Sequence, residues 1–514
     1  MGREIKEECG VFGVYLKSEG DKTLVPRVLY TGLSQLQHRG QLSAGIAVLD
    51  PKSGVYRKRL SVLKKTGLVD ELFEVNHNSK SEELFYDYRG IAGIGHVRYC
   101  TSGMANNEQF IINGTQPFER RHGRLWKRFA FCYNGNLANH RILRDRLIKK
   151  EGYHLDTTTD TEVIMHLISL NLKRAEDKSG ENTKPEHFEI NIDLMNQLDG
   201  SYSMIELFAD GDLVVVRDPL GFKPLVWGEN SDFYAIASES VALEKIGINR
   251  FYPVSPGSCM IFNRSGLREK QLVNSKRKAR CHFEFDYFSK EGSVFDNRSI
   301  HLTRKKLGEN LAEIEPLKNE VRANPEKYVV FPVPKTAIPA AEAFAEALKI
   351  KHSSAILKSD DKRGFINKGR ARKRIMSNAY FVIPEEVEGK EVFIVDDSAV
   401  RGETIQQVVG PLRKAGAEKI HFRSTEPPIR HPCFYGIDFP TREELIASQY
   451  PPQEFEKKFA EIINVDSAIF QTLEGLVNAT GFRKDELCLA CLNGDYPTPG
   501  GMRLAKKATK CKSK

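Results

Sequence analysis

The chain lacks a long hydrophobic run: none of its 514 residues belongs to an uninterrupted apolar stretch of the length that crosses a membrane. Its first eight residues are rich in charged side chains and contain no apolar segment of the kind found in secretory signals. These two absences argue against a membrane-spanning helix and against export. We therefore expect a cytoplasmic protein without a membrane partner.

Interleaved aromatic residues are missing from the two most basic tracts, which cover residues 368–374 and 503–514. Single-strand nucleic-acid platforms combine basic grooves with stacking aromatics, so we predict no nucleic-acid partner. The formal net charge of +9 suits a polyanionic small substrate, but an ordinary solvated basic surface is the favoured interpretation.

The cysteine usage does not fit a disulfide framework. The chain has nine cysteines, an odd number with uneven spacing. Without an export signal, metal binding or catalysis is the better expectation for such residues. The length predicts two or three domains.

The first half of the chain alternates short β-type runs with glycine-rich turns, and two helical segments are predicted at 25–37 and 160–173. In the second half, the apolar runs 329–333 and 392–395 each precede a helical stretch, which is typical of a parallel α/β sheet. The polar, basic segment 263–280 marks the predicted boundary. The fold class is therefore a mixture of α+β and α/β domains.

Cys9 is followed by glycine and a short apolar strand, a context that alone favours a buried structural cysteine. Four polar clusters follow it, each at a strand or helix boundary, where functional residues concentrate. They are 37–41 (Gln-His-Arg-Gly-Gln), 95–99 (Gly-His-Val-Arg-Tyr), 133–136 (Tyr-Asn-Gly-Asn) and 159–162 (Thr-Asp-Thr-Glu).

In these motifs and their order the chain resembles the class II glutamine amidotransferases, and within them the glutamine phosphoribosylpyrophosphate amidotransferase family. The resemblance implies an N-terminal-nucleophile αββα sandwich followed by a type I phosphoribosyltransferase domain. The implied ranges are 1–8 for a propeptide, 9–265 for the glutamine amidotransferase domain and 266–514 for the phosphoribosyltransferase-like domain with a C-terminal cysteine cluster.

The resemblance makes Cys9 the nucleophile, exposed after removal of residues 1–8. The chemistry is sound, because the α-amino group of a chain-terminal cysteine titrates near pH 8 and can take the thiol proton. The resemblance also assigns the oxyanion donors to the Asn134 side chain and the Gly135 backbone amide. Arg98 would bind the glutamine carboxylate, and Asp160 its ammonium group.

Arg39 is grouped with the substrate-binding residues, and a purely loop-ordering role for it stays open. Four positions depart mildly from the family pattern without removing a catalytic atom: Tyr133, Cys100 and the pair at 42–43.

The run 392–404 places two carboxylates at the end of a buried strand, then a tight turn and a helix. Carboxylates at such a strand end can accept hydrogen bonds from ribose hydroxyls, and the turn amides can bind a phosphate. This order resembles the type I phosphoribosyltransferase signature, which implies substrate binding by Asp396, Asp397, Ser398, Val400, Arg401, Gly402 and Thr404. Mg²⁺ would accompany the diphosphate near Asp396 and Asp397.

This second motif also departs from the family pattern. Glu403 stands in the phosphate-binding turn, where a carboxylate either repels a phosphate or points outward and favours the helix N-terminus. Lys335 occupies the turn that meets pyrophosphate, the loop 358–366 is eroded, and Pro411 is expected to interrupt the helix that follows the turn.

Four cysteines match family contexts that ligate a [4Fe–4S] cluster in one branch: Cys281, Cys433, Cys488 and Cys491. Four thiolates also suit structural zinc, so the resemblance favours iron–sulfur while zinc stays open. Such a group would fasten the C-terminal helices to both domains. Cys132, Cys259 and Cys511 are expected to be ordinary residues.

The expected function is amidophosphoribosyl transfer in de novo purine synthesis, in which ammonia from glutamine displaces pyrophosphate from phosphoribosyl diphosphate to give 5-phosphoribosylamine. Two alternatives remain: delivery of ammonia to a different activated sugar phosphate, and a paralogue with a decayed phosphoribosyl site. Family habit predicts a homo-oligomer, specifically a tetramer.

Overall fold

The first half of the chain folds into two facing antiparallel sheets with helices on their outer sides. The computed structural model describes residues 9–99, 108–180, 183–358, 380–439 and 441–510. In spatial order the strands of the seven-stranded sheet are Phe251–Pro253, Val226–Glu229, Phe233–Ala237, Gly10–Leu16, Ala92–Arg98, Ser43–Leu49 and Leu60–Thr66. Those of the six-stranded sheet are Gly266–Gln271, Ser258–Asn263, Leu213–Arg217, Gly200–Phe208, Phe129–Leu137 and Phe118–Arg120.

The first strand, Gly10–Leu16, is a continuous apolar run because both of its faces are buried. Successive side chains of a strand point to opposite faces. Val11 and Tyr15 pack between the two sheets, whereas Phe12 and Val14 pack beneath the outer helices. Both faces are buried, so the four-layer αββα sandwich predicted for this half is confirmed.

The helices of this half cover the outer faces of the two sheets. Packing of an apolar helix stripe on a sheet buries both partners and fixes the layer order. The described helices are Leu24–Gln35, Val69–Leu72, Asn78–Asp87, Glu108–Asn113, His140–Lys149, Asp160–Ser179, His187–Gln197 and Ser240–Lys245.

The second half contains a five-stranded parallel sheet with helices on both faces. In spatial order its strands are Lys351–His352, Tyr328–Pro332, Glu391–Asp396, Lys419–Ser424 and Ser467–Phe470. Its helices are Ile300–Glu313, Lys318–Ala323, Ile338–Leu348, Glu403–Lys414, Phe455–Ile463, Leu473–Thr480, Ala490–Asn493 and Pro499–Lys510. The predicted parallel α/β sheet is confirmed.

Several short elements lie outside the three large sheets. Arg280–Cys281 pairs in parallel with Leu487–Cys488, and a π-helix follows at Glu284–Phe288. Two antiparallel ribbons join Val294–Phe295 to Arg298–Ser299 and Ile356–Lys358 to Tyr380–Val382. The 3₁₀ turns are Gln37–Arg39, Tyr56–Arg59, Leu125–Lys127, Pro325–Lys327, Pro384–Glu386, Ile446–Gln449 and Lys484–Glu486.

Two helices differ from the sequence-based expectation. The helix predicted at 160–173 extends through Ser179, because Arg124 and Lys127 pair with the buried Glu176 in its last turns. The expectation that Pro411 interrupts its helix is wrong, since Glu403–Lys414 continues through that residue. The strand Gly266–Gln271 pairs with Ser258–Asn263, so the expected domain boundary at 265/266 coincides with the turn of a hairpin.

Within the described residues, no helix has both the length and the apolar character needed to cross a bilayer.

A fully buried ion pair joins Arg423, in a strand of the parallel sheet, to Glu315, which follows the helix Ile300–Glu313. Arg423 Nε and Nη2 donate to the two carboxylate oxygens at 2.5 and 2.8 Å. Buried pairs of this kind strongly resist removal of one partner, because the remaining charge stays desolvated.

We predict that Glu315→Ala lowers the free energy of unfolding by about 3–5 kcal/mol, since Arg423 loses its counter-charge inside the core. The shift of the urea unfolding midpoint measures this. Glu461→Ala is the matched control, because its pair with Lys458 is exposed and should leave the midpoint unchanged. Equal midpoints for both variants would contradict the prediction.

Candidate active sites and the cysteine cluster

The candidate nucleophile Cys9 immediately precedes the central strand Gly10–Leu16 of the seven-stranded sheet. Its carbonyl oxygen accepts a hydrogen bond from Arg39 Nε at 3.2 Å. Tyr133 lies close to both Cys9 and Asp160, and burial, the Asp160 carboxylate and the nearby Cys9 raise the pKa of the Tyr133 hydroxyl. Cys9, Tyr133 and Asp160 therefore belong to one site at the end of the two facing sheets.

Arg39 is almost completely enclosed, with 1% of its surface exposed. Its Nη1 lies 2.6 Å from Glu239 Oε1, and its Nη2 lies 2.7 Å from Glu284 Oε1. A guanidinium held by two buried carboxylates is firmly positioned. This placement favours the ordering role for Arg39 that the sequence left open, because the side chain fixes the Cys9 backbone.

Asn134 and Gly135 lie in the strand Phe129–Leu137, opposite Ser203 and Tyr202 of the neighbouring strand. Asn134 is 2% exposed, and its Nδ2 has no hydrogen-bond partner among the described residues. A buried amide donor without a partner costs free energy unless a ligand uses it. The geometry thus leaves one donor available for a negatively charged oxygen.

Gly135 must be glycine for a steric reason. A Cβ at this position would lie 2.0 Å from the Ser201 carbonyl oxygen. The close approach of the two strands therefore excludes any larger residue.

The two residues expected to bind the ends of glutamine are both fixed by backbone contacts. Arg98 Nη1 donates to the Ile111 carbonyl at 2.8 Å, and its guanidinium packs where a Cβ of Gly114 would lie. Asp160 opens the helix Asp160–Ser179, and its Oδ2 accepts from the Leu137 amide at 3.1 Å. Both are partly exposed, as residues that meet a small ligand should be.

Lys64 is a neighbour of Arg98 that the sequence analysis missed. Burial, assisted by the charge of Arg98, lowers the pKa of Lys64 to about 8, while Glu119 opposes that shift. Lys64 stands in a strand without a recognisable motif, so its sequence context does not predict that it lies near Arg98. The two residues become neighbours only when the strands assemble into the sheet.

The second candidate site lies at the carboxyl end of the central strand Glu391–Asp396 of the parallel sheet, which is where ligands bind in open α/β sheets. The structure brings Asp396, Asp397 and Ser398 together there, all less than a tenth exposed. The Thr425 and Glu426 amides donate to the Asp396 and Asp397 carbonyls at 3.0 Å each. Burial and the neighbouring Asp286 raise the pKa of Asp397.

The turn after these acids has the form expected of a phosphate-binding loop. Gly402 has φ 76°, a left-handed conformation that favours glycine, and it caps the helix Glu403–Lys414. Arg401 forms an ion pair with Glu444, and the Val400 carbonyl accepts from the Ile446 amide at 3.1 Å. Thr404 belongs to the first helical turn, and its side chain is outside the described part of the structure.

Glu403 is exposed at the first position of the helix, so it takes the outward-pointing placement rather than entering the turn. Lys335 lines a cavity of about 300 Å³ together with Thr336 and with His38 of the first half. The eroded loop is outside the described residues from 359 onward.

The four cysteines converge although they are far apart in sequence. Cys281 stands directly opposite Cys488 in their short parallel ribbon. Burial, together with Cys433, raises the pKa of Cys488 to about 12. Burial and the other three thiols raise the pKa of Cys491 well above its usual value. The remaining cysteine, Cys433, contributes to both of these shifts.

Several buried thiols together suit a metal, because a cation stabilises the thiolate forms that burial alone disfavours. As placed, however, no group of three or more His, Cys, Asp or Glu side chains in the described ranges has the arrangement that holds a metal ion. The residue types and their convergence fit a four-thiolate group.

The segment after Cys433 also contacts the first site. Asn136 Nδ2 donates to the Phe434 carbonyl at 2.8 Å, and Ser201 Oγ donates to the Tyr435 carbonyl at 2.6 Å. The strand that carries Asn134 and Gly135 is thereby fastened to the cysteine cluster. Sequence reasoning missed Ser201 and Tyr435, since neither stands in a recognisable motif.

Comparisons with known proteins give a match for each half of the chain. Residues 108–245 match the glutamine amidotransferase domain family, and residues 304–424 match the phosphoribosyl transferase domain family. Amidophosphoribosyltransferases from Methanothermobacter thermautotrophicus and Bacillus subtilis are 37% and 35% identical to the chain. Each alignment covers 96% of this chain, with 96% of the first relative and 95% of the second.

Solved structures give the same picture. The glutamine phosphoribosylpyrophosphate amidotransferase of B. subtilis, complexed with ADP and GMP, superposes with a TM-score of 0.79 at 32% identity. It covers 95% of this chain and 97% of the other. A structure described as the allosteric regulatory enzyme of purine biosynthesis gives a TM-score of 0.81 at 33% identity, with coverages of 95% and 96%.

The unpartnered donor on Asn134 leads to a kinetic prediction. Asn134→Ala should lower kcat for glutamate release from glutamine by about 100-fold or more and leave KM nearly unchanged, because the oxyanion forms only on the way through the transition state. Steady-state kinetics with glutamine measure both constants.

The matched control is Asn191→Ala, which removes another fully buried asparagine, one whose Nδ2 donates to the His187 carbonyl within its own helix. It should retain kcat. A kcat for Asn134→Ala equal to that of the control would exclude the donor role.

Proposed function

Because the chain belongs to the amidophosphoribosyltransferase family, we propose that it forms 5-phosphoribosylamine from glutamine and phosphoribosyl diphosphate. It is a glutamine-dependent transferase enzyme of purine biosynthesis. The observation that carries the proposal is the single-chain combination of a nucleophile site with a free buried amide donor and a pair of buried acids at the end of a parallel strand.

In the first half-reaction, the Cys9 sulfur attacks the side-chain amide carbon of glutamine after residues 1–8 have been removed. The new α-amino group takes the thiol proton and passes it to the leaving ammonia. Asn134 Nδ2 and the Gly135 amide stabilise the oxyanion. Water then hydrolyses the thioester, releasing glutamate and restoring the thiol.

Arg98 and Asp160 bind the carboxylate and the ammonium group of glutamine. Their opposite charges select an amino acid with both groups ionised. Arg39 holds the Cys9 carbonyl, so the nucleophile keeps its position while the substrate enters.

In the second half-reaction, the ammonia nitrogen attacks C1 of the ribose and pyrophosphate leaves. Asp396 and Asp397 accept hydrogen bonds from the ribose hydroxyls, while Ser398, Val400, Arg401, Gly402 and Thr404 surround the 5-phosphate. Asp396 and Asp397 would hold a Mg²⁺ ion that arrives with the diphosphate, and such an ion would supply positive charge for the leaving group.

Two placements support phosphoribosyl diphosphate as the acceptor. Glu403 is exposed, so its charge does not oppose a phosphate in the turn. Lys335 adds positive charge to a cavity that both halves line, which suits a pyrophosphate group next to a path for ammonia.

Three further properties belong to the proposal. Cys281, Cys433, Cys488 and Cys491 hold a [4Fe–4S] cluster that fastens the C-terminal helices to both halves. The enzyme works in the cytoplasm. It assembles as a homo-oligomer, which we propose to be a tetramer.

The function is tested by following glutamate and pyrophosphate separately. We expect equal amounts of both products from glutamine, Mg²⁺ and phosphoribosyl diphosphate, because one ammonia is consumed for each glutamine. Glutamate without pyrophosphate would point to another acceptor.

Two variants separate the half-reactions. Cys9→Ala should release neither product with glutamine but should release pyrophosphate when ammonium chloride is supplied. Asp397→Asn should keep glutamate release and lose most pyrophosphate. If Cys9→Ala still releases glutamate, the nucleophile assignment is wrong.

The cysteine assignment predicts a brown protein with broad visible absorption and about four iron atoms per chain when purified without oxygen. Cys488→Ala should abolish the colour, because one of the four thiolates is lost. Cys259→Ala, a buried cysteine in a strand of the six-stranded sheet, should retain it. A colourless protein containing zinc would reverse the assignment.

A further inference from the structure

A row of buried polar side chains lies beside the cysteine cluster and has no part in either half-reaction. His282 follows Cys281 in the chain, and Glu426 and Asp286 complete the row. All three are at most 2% exposed. Burial of three ionisable side chains is costly, so their position requires a physical reason.

The imidazole of His282 is held between a cysteine and a carboxylate. Its Nε2 lies 3.1 Å from the Cys491 sulfur, within hydrogen-bonding range for sulfur. Its Nδ1 lies 2.9 Å from Glu426 Oε1 on the opposite side of the ring, at ion-pair distance although the angle is outside hydrogen-bond geometry. The ring also packs edge-on against Phe283, with centroids 5.8 Å apart.

This order of carboxylate, histidine and sulfur resembles the outer contacts that orient metal ligands. A carboxylate that fixes one ring nitrogen determines the direction in which the other nitrogen donates. The backbone of the Glu426 segment is itself fixed, since its amide donates to the Asp397 carbonyl at 3.0 Å. The imidazole therefore has a defined orientation toward the sulfur.

We propose that His282 donates an Nε2–H···S hydrogen bond to the metal-bound Cys491 thiolate, and that Glu426 positions the ring for this contact. His282 thereby raises the reduction potential of the cluster and slows its loss. The inference rests on the proposed function in one respect, namely that the four cysteines hold an iron–sulfur cluster.

The direction of the effect follows from charge. Reduction adds an electron to an already negative cluster, and a hydrogen bond to a ligand sulfur stabilises that added charge. Cys433 receives a comparable contact from a backbone group, since the Tyr435 amide lies 3.3 Å from its sulfur. A side-chain substitution leaves that backbone donor in place, so the contribution of His282 can be isolated.

The test compares His282→Phe with His282→Gln in full-length protein purified without oxygen. Phenylalanine keeps a ring and removes the donor, whereas glutamine keeps an N–H near the position of Nε2. Potentiometric titration monitored by electron paramagnetic resonance gives the reduction potential, and bleaching of the visible absorption in air gives the rate of cluster loss.

We expect His282→Phe to shift the potential to a more negative value and to bleach about 10-fold faster, in line with the usual cost of losing an outer partner of a metal ligand. His282→Gln should restore part of both properties. Glu426→Gln should shift both in the same direction as His282→Phe, because the ring loses the carboxyl oxygen that lies beside its Nδ1.

The matched control is His421→Phe. His421 is also buried, and it contacts Glu391 and Ser467 in the parallel sheet rather than a cysteine. Its substitution should change neither the potential nor the bleaching rate. A general loss of packing would affect both histidine variants equally and would overturn the proposal.

Metal analysis of the unmodified protein separates the two levels of inference. Zinc or no metal in that protein overturns the cluster assignment, and the role of His282 with it. A brown unmodified protein, with His282→Phe variants that keep full iron content and the same potential, overturns the role of His282 alone.

Discussion

The guanidinium of Arg39 is the contact on which the arrangement of this enzyme depends. It reaches the backbone of Cys9, the carboxylate of Glu239 and the carboxylate of Glu284 at once. These partners belong to the start of the chain, the end of the first half and the segment that leads into the parallel sheet. A single buried cation thus fixes Cys9, the proposed nucleophile, relative to the junction of the two halves, and its removal would take from two buried carboxylates the guanidinium that they share.

The junction is held by polar contacts as well as by packing. Asn136 and Ser201, from two strands of the amidotransferase half, bind the backbone that follows Cys433. Phe222 and Tyr435 stack across the same junction with centroids 4.4 Å apart. Because the strand with the proposed oxyanion donors makes one of these contacts, the cysteine cluster and the proposed glutamine site form one continuous structure rather than two separate modules.

The sequence predicted the parts of this structure that depend on local pattern. The apolar run at 392–395 became the strand Glu391–Asp396, and the acids after it stand at its carboxyl end. The turn that the sequence predicted to bind phosphate is also present, with Gly402 in a left-handed conformation directly before the helix Glu403–Lys414. The convergence of the four cysteines was predicted only through family resemblance, since nothing in their spacing brings 281 next to 488.

Contacts between residues that are far apart in the chain could not be predicted from the sequence. The carboxylates that enclose Arg39 are 200 and 245 positions away, and no pattern identifies them. Sequence reasoning also missed the buried row of His282, Asp286 and Glu426. A single polar residue within an apolar run is normally interpreted as the exposed side of a strand, so burial was not expected. Pro411 shows the opposite case, in which a local rule failed because the surrounding helix tolerates the lost hydrogen bond.

The parallel pairing of Cys281 with Cys488 has a consequence for biosynthesis. Domains fold from the N-terminus while the ribosome is still working, so the amidotransferase half can fold during translation. Cys488 and Cys491 are synthesised after Cys281 and Cys433 and after the whole parallel sheet. The four cysteines can therefore come together only once that sheet has been made, and any group that all four thiols would hold has no complete site before then.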